Sequence, residues 1–303
     1  MKRNIYSYSK LWMIFFVLMG AACTNQVEDT IPVSGQPIEF SVQSDWKEIP
    51  NTRLNEGIKK FKAGDKIQIF GFHKSSSGVE MKFMYRVNDP KKQRGQIVTL
   101  DDNNNWNYSP KRFWPKEGTL DFYASYPDYS VLNEGDKMTY VQPDFNPLGV
   151  DLLWGLATDR KCAEAETVPI WMVHALARVN IFFDSSLGDV KQAIVSAYKA
   201  GYFKNADNGV PIWHVDDKTD IIQATIPEKP TKIGDVTVFI LPDRITGLKL
   251  IKLDDGTEID VSDKIQNLEF DAGKVYNLTI SKGVQKKNTN SRSIAMSVRC
   301  VSE

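Results

Sequence analysis

The sequence predicts an all-β protein, with two β-sandwich domains following an N-terminal lipoprotein signal. Three observations carry this reading. Apolar and polar residues alternate with period two along most of the chain, as they do in half-buried strands. The alternating runs are separated by turn-forming clusters such as Asp101–Asn105 and Asn205–Gly209. Helical periodicity is weak. The one segment open to both readings, Asp189–Lys199, carries Ile194, Val195 and Tyr198 and is assigned to a strand.

The chain begins with an export signal. Lys2, Arg3 and Lys10 are positive, Leu11–Met19 is apolar, and Gly20-Ala21-Ala22-Cys23 offers the small residues of a cleavage site. The apolar run is far shorter than the ~20 residues of a spanning helix. Two outcomes fit: lipid attachment to Cys23, or cleavage near Ala22 with Cys23 incidental. Gly20 stands where such sites usually carry Leu. A lipid on Cys23 anchors the protein at the outer membrane, with residues 23–35 as a polar tether.

The strands follow in order. Ile38, Phe40 and Val42 alternate with polar neighbours, and Lys66–Phe72 repeats the pattern. Further runs are Met81–Val87, Thr119–Tyr126, Val168–Phe183, Ala193–Phe203, Thr237–Leu241, Leu248–Leu253 and Lys274–Ile280. Within Val168–Phe183, one face is apolar from Val173 to Phe183, while the other mixes Met172, His174, Arg178 and Asn180. The polar stretch Thr158–Thr167 separates an N-terminal domain at 36–158 from a C-terminal domain at 165–282, with a tail at 283–303.

Charge and cysteine content narrow the function classes. The 38 basic and 38 acidic residues balance, and loss of Lys2, Arg3 and Lys10 with the signal leaves a slightly acidic protein. Nothing in this balance calls for nucleic acid. Only Cys162 and Cys300 remain beyond Cys23, in a compartment where a disulfide is chemically permitted.

Catalytic signatures are missing from the sequence. His73, His174 and His214 have no partner at catalytic or metal-ligand spacing, and His174 reads as a structural residue inside a strand. No nucleophile elbow, phosphate loop or dinucleotide-binding turn occurs. Asp101-Asp102 and Asp216-Asp217 lack full calcium-ligand spacing. The expectation is a non-enzyme without metal or cofactor. The cluster Trp106, Tyr108, Trp114, Tyr123, Tyr126 and Tyr129 suits either a sugar-stacking platform or a ring-filled core, and the core is preferred.

Ordered motifs give a resemblance. They run from Ile38-x-Phe40 and Thr52-Arg53 through Phe61-x-x-Gly64-Asp65-x-Ile67-x-Ile69. The most specific block is Phe113-Trp114-Pro115-x-x-Gly118-x-Leu120-Asp121-Phe122-Tyr123-Ala124-x-Tyr126-Pro127. Asp151-Leu152-Leu153, His174–Val179 and Ala272-Gly273-x-x-Tyr276-x-Leu278 complete the series. In these motifs the chain resembles the fimbrillin-like (Mfa-like) lipoproteins of Bacteroidetes. The resemblance implies two transthyretin-like sandwich domains and a role as pilus subunit or surface adhesin. It also implies that a protease removes an N-terminal strand, after which other pilus subunits are joined by donor-strand exchange.

The residues meet the demands of that mechanism. Ile38, Phe40 and Val42 form the strand to be displaced, and Arg53 is the protease site or, alternatively, an uncut loop residue. A basic linker after Gly283 leads to Ile294, Met296, Val298 and Cys300, which share one face of an alternating donor strand. The alternative is that this tail completes the protein's own C-terminal sheet, locked by a Cys162–Cys300 disulfide. A host or glycan ligand is the remaining partner class, and a surface glycan-binding lipoprotein is the second functional reading.

Overall fold

The computed structural model describes residues 31–44, 61–86, 94–129, 131–134, 137–141, 151–205, 209–215, 221–226, 236–252, 254–282 and 296–302. The first strands are β1 (Val33–Pro37), β2 (Phe40–Ser44), β3 (Lys66–Lys74), β4 (Glu80–Met84), β5 (Gln96–Leu100) and β6 (Trp106–Asn107). Then come β7 (Phe113–Pro115), β8 (Thr119–Tyr126), β9 (Val131–Glu134), β10 (Lys137–Val141), β11 (Leu153–Lys161) and β12 (Val168–His174). The second half supplies β13 (Ala177–Phe183), β14 (Val190–Tyr198), β15 (Ala200–Asn205), β16 (Pro211–Val215) and β17 (Ile221–Ile226). It closes with β18 (Val236–Ile240), β19 (Ile245–Lys252), β20 (Glu258–Asp260), β21 (Val275–Lys282) and β22 (Met296–Ser302).

One large sheet dominates the first half, in the order β2-β12-β11-β8-β3-β5-β6, with β4 added on β3. The sheet curls until its two edges meet, the Phe40 ring of β2 lying 5.8 Å from Tyr108 just beyond β6. Period-two alternation sends Ile67, Ile69, Leu120, Phe122, Ala124, Leu153, Ile170 and Met172 to the interior. Gly118 makes the tight entry into β8. Its φ is +84°, and a Cβ there would overlap the Lys74 carbonyl oxygen. The outer face buries Phe70 and Trp154 against Val131, Met138 and Phe203 of a second sheet, β16-β15-β10-β9.

The second half is a sandwich of β18-β13-β21-β22 on β17-β14-β19-β20. Val179, Ile181, Leu278 and Ile280 of one sheet face Ala193, Val195, Leu248 and Leu250 of the other.

Three expectations are revised. The Thr158–Thr167 stretch does not divide the sheets: it joins β11 to β12 as a hairpin of the first sheet, with Leu153 opposite His174. Sheet membership changes at Ala175-Leu176 instead, so Val168–Phe183 is two strands in two sheets. Both junction residues are buried, which keeps the apolar pattern running through the break. Ala193–Phe203 likewise spans two strands, β14 and β15, of different sheets. The Cys162–Cys300 lock, left open as an alternative for the tail, is not formed, since Cys162 is a free thiol buried among the side chains of the first core.

Candidate functional site

The N-terminal segment fills the seam of the curled sheet. β2 pairs in parallel with β12, Phe40 opposite Val168 and Val42 opposite Ile170, while β1 pairs antiparallel with β7. The alternation Ile38-x-Phe40-x-Val42 turns all three side chains inward. Ile38 and Phe40 are buried, and Val42 packs half-buried against the same core. Phe40 meets Phe122 edge-on at 5.3 Å. At roughly 1.5–3 kcal/mol for a fully buried apolar side chain, Ile38 and Phe40 alone stabilise the seam strongly.

Main-chain bonds fix the register from both sides. The Val168 N–H donates to the Glu39 carbonyl (2.8 Å), the Ile38 N–H to the Arg112 carbonyl (2.9 Å) and the Lys116 N–H to the Pro32 carbonyl (2.8 Å). The Tyr108 hydroxyl donates to the Ile38 carbonyl (2.8 Å). Burial pushes the pKa of that hydroxyl up to about 12, so it remains a donor at neutral pH. Beneath the strand lies Trp114, 1% exposed, whose indole N–H has no acceptor among the described residues.

The predicted donor strand lies elsewhere. Met296, Val298 and Cys300 belong to β22, which runs antiparallel along β21 with Cys300 opposite Leu278. Among the described residues β22 is an edge strand paired with β21 alone. The displaced-strand and donor-strand segments are therefore not brought together within one chain. Cys23, Arg53 and Ile294 lie outside the described residues.

The aromatic cluster is mostly interior. Trp106, Tyr108 and Trp114 are buried, Tyr123 and Tyr126 are half-buried, and only Tyr129 is exposed. Each histidine ring is bonded or stacked within the fold, His214 lying on the Tyr202 ring at 4.9 Å. His174 Nδ1–H donates to Asp151 Oδ2 (2.5 Å), and His73 Nε2–H donates to the Glu117 carbonyl (2.9 Å). The Asp151 and His174 motifs thus meet at one end of the β11–β12 hairpin, within the first half, a pairing their spacing gave no sign of. Asp101 caps its own turn, accepting from the Asn105 and Asn103 N–H groups, and these bonds hold its carboxyl below the usual range. Asp216 and Asp217 lie outside the described residues. Among the described residues no group of three or more His, Cys, Asp or Glu could hold a metal ion.

Comparison with known proteins decides the family. The fimbrillin-like profile matches residues 52–296. The chain belongs to the fimbrillin-like family. Two solved structures share the fold of this fimbrillin-like chain. One is a candidate cell adhesion protein from Bacteroides uniformis, with TM-score 0.55 and 18% identity, covering 89% of this chain and 98% of the other. A second, from Bacteroides ovatus, gives TM-score 0.53 at 13% identity over 88% and 95% of the two chains. The fimbrial anchor protein Mfa2 from Porphyromonas gingivalis gives TM-score 0.43 at 12% identity over 88% and 96%. No curated protein matches in sequence.

Proposed function

We propose that this fimbrillin-like chain is a cell-surface pilus subunit or adhesin that exchanges its N-terminal strand for one from a neighbouring subunit. The observation that carries the reading is the seating of β2, whose Ile38, Phe40 and Val42 close an aromatic core from the edge of the sheet. Cleavage after Arg53, downstream of β2, leaves β1 and β2 held by non-covalent contacts alone. Their departure opens a groove lined by Tyr108, Trp114 and Phe122 beside an unpaired β12 edge. An incoming alternating strand then gains main-chain pairing from β12 and pockets for alternate side chains.

The proposed donor is the C-terminal segment carrying Ile294, Met296, Val298 and Cys300. Its edge position supports this, because transfer of β22 breaks one ladder only. A head-to-tail contact of this kind is heterologous and propagates a filament. The proposed role is structural, not enzymatic, with a lipid on Cys23 tethering the precursor to the outer membrane. The glycan-binding reading finds less support, since the aromatic stretch is largely core apart from Tyr129.

Limited trypsin digestion of the protein beginning at Thr24, followed by mass spectrometry and unboiled gel electrophoresis, tests the proposal. Cleavage after Arg53 with a ladder of heat-sensitive oligomers is expected. A chain that resists at Arg53, or that is cut and stays monomeric, overturns strand exchange.

A further inference from the structure

We propose that a cleft at the junction of the two halves binds an arginine or lysine side chain presented by a partner polypeptide. The cleft holds about 360 Å³, at the small end of the ~300–1,000 Å³ typical of ligand sites. Trp213 and Pro211 of β16 form one wall, and the loops carrying Asp243 and Glu269–Ala272 form the other.

The indole is held in place. Its N–H donates to the Ala175 carbonyl (2.7 Å), and its ring packs on Phe203 with centroids 4.8 Å apart. The opposite wall is equally fixed, because the Phe270 N–H donates to the Asp243 carbonyl (2.7 Å) and so ties the two loops together. An oriented aromatic surface is therefore present before any ligand arrives.

Charge selects the ligand. Among the described residues, Asp243, Glu269 and Asp271 line the cleft and no lysine or arginine does. Asp243 pairs with its neighbour Arg244 (3.1 Å), and Asp271 accepts from the Tyr276 hydroxyl (3.2 Å). Glu269 is exposed and makes no hydrogen bond or ion pair among the described residues. The three lining carboxylates give the cleft an acidic wall beside an indole. A cation on an aliphatic stem uses all of this: its head meets the carboxylates and the ring, and its methylenes cover Pro211 and Val215. A neutral saccharide could accept the ring and the hydrogen bonds but gains nothing from the excess charge.

Calorimetric titration of the full chain with Nα-acetyl-arginine amide at low salt tests the assignment. Saturable binding is expected, weakened about tenfold or more when citrulline replaces arginine, and weakened again by raised salt. Glu269→Gln, an exposed change that leaves the fold intact, should weaken binding severalfold. Trp213→Phe, checked for an unchanged melting profile, should do the same. Failure to saturate, equal binding of the citrulline compound, or binding of neutral hexoses in place of arginine overturns the proposal. None of these outcomes depends on strand exchange.

Discussion

The two halves of the molecule fill their interiors with different side chains. The curled sheet of the first half encloses rings: Phe40, Phe83, Trp106, Tyr108, Trp114 and Phe122. The sandwich of the second half is packed almost wholly with Val, Ile, Leu and Ala, with Phe270 and Tyr276 among its few aromatics. Two facing sheets lie about 10 Å apart, a gap that branched aliphatic side chains fill from both sides. A sheet curled on itself leaves a wider interior that needs larger groups. In the first half those groups are shared with a strand at the seam, so closure depends on a peripheral segment. The second half closes without one and exposes only an edge to β22.

Phe40→Ala tests that difference most severely. Loss of a buried ring at the seam should cost about 3–5 kcal/mol in urea unfolding. Equal stability of the variant and the native chain would mean that β2 is not part of the first core. Tyr108→Phe removes the hydroxyl that binds the Ile38 carbonyl and should cost about 0.5–1.5 kcal/mol. Its signature is faster amide exchange at Val168, whose N–H bonds to Glu39. In the aliphatic sandwich, Ile181→Val should cost a similar ~0.5–1.5 kcal/mol while leaving Val168 exchange unchanged. Acceleration there would show that the halves are not independent at this level.

The smallest effect concerns pH. Burial pushes the Cys162 thiol up from 9.0 to about 11. The unfolded chain therefore loses this proton first, and the thiol's contribution is constant at neutral pH but declines as pH rises from about 9 towards 11. The stability difference between the native chain and Cys162→Ala should be flat below about pH 8 and shift against the native chain above it. A flat difference across the whole range would show that the thiol is solvated.

Individual strands were more legible than their neighbours. Thr119–Tyr126 reads from alternation alone and is observed with the same ends. The inward phase switches across Ala175-Leu176, from Ile170 and Met172 in the first core to Ala177 and Val179 in the second, but Ala175 and Leu176 are themselves apolar and buried, so two strands read as one. The pattern reports which faces are covered and not by which sheet. The tail illustrates the same limit: its period-two pattern suits a donor strand and an edge strand equally and does not announce β21 as its neighbour. At the seam, the inward residues Ile38, Phe40 and Val42 were readable, but the Tyr108 bond was not. Trp213 gave no signal, since its cleft is completed by loops far along the chain.

The parallel pairing of β2 with β12 also sets an order of folding. Phe40 finds Val168 only across well over a hundred intervening positions, a long loop to close compared with the hairpins β3–β4 and β11–β12. Loop closure therefore favours the hairpins forming ahead of the β2–β12 ladder. The strand proposed to be exchanged is thus the one whose ladder closes the longest loop in the first sheet.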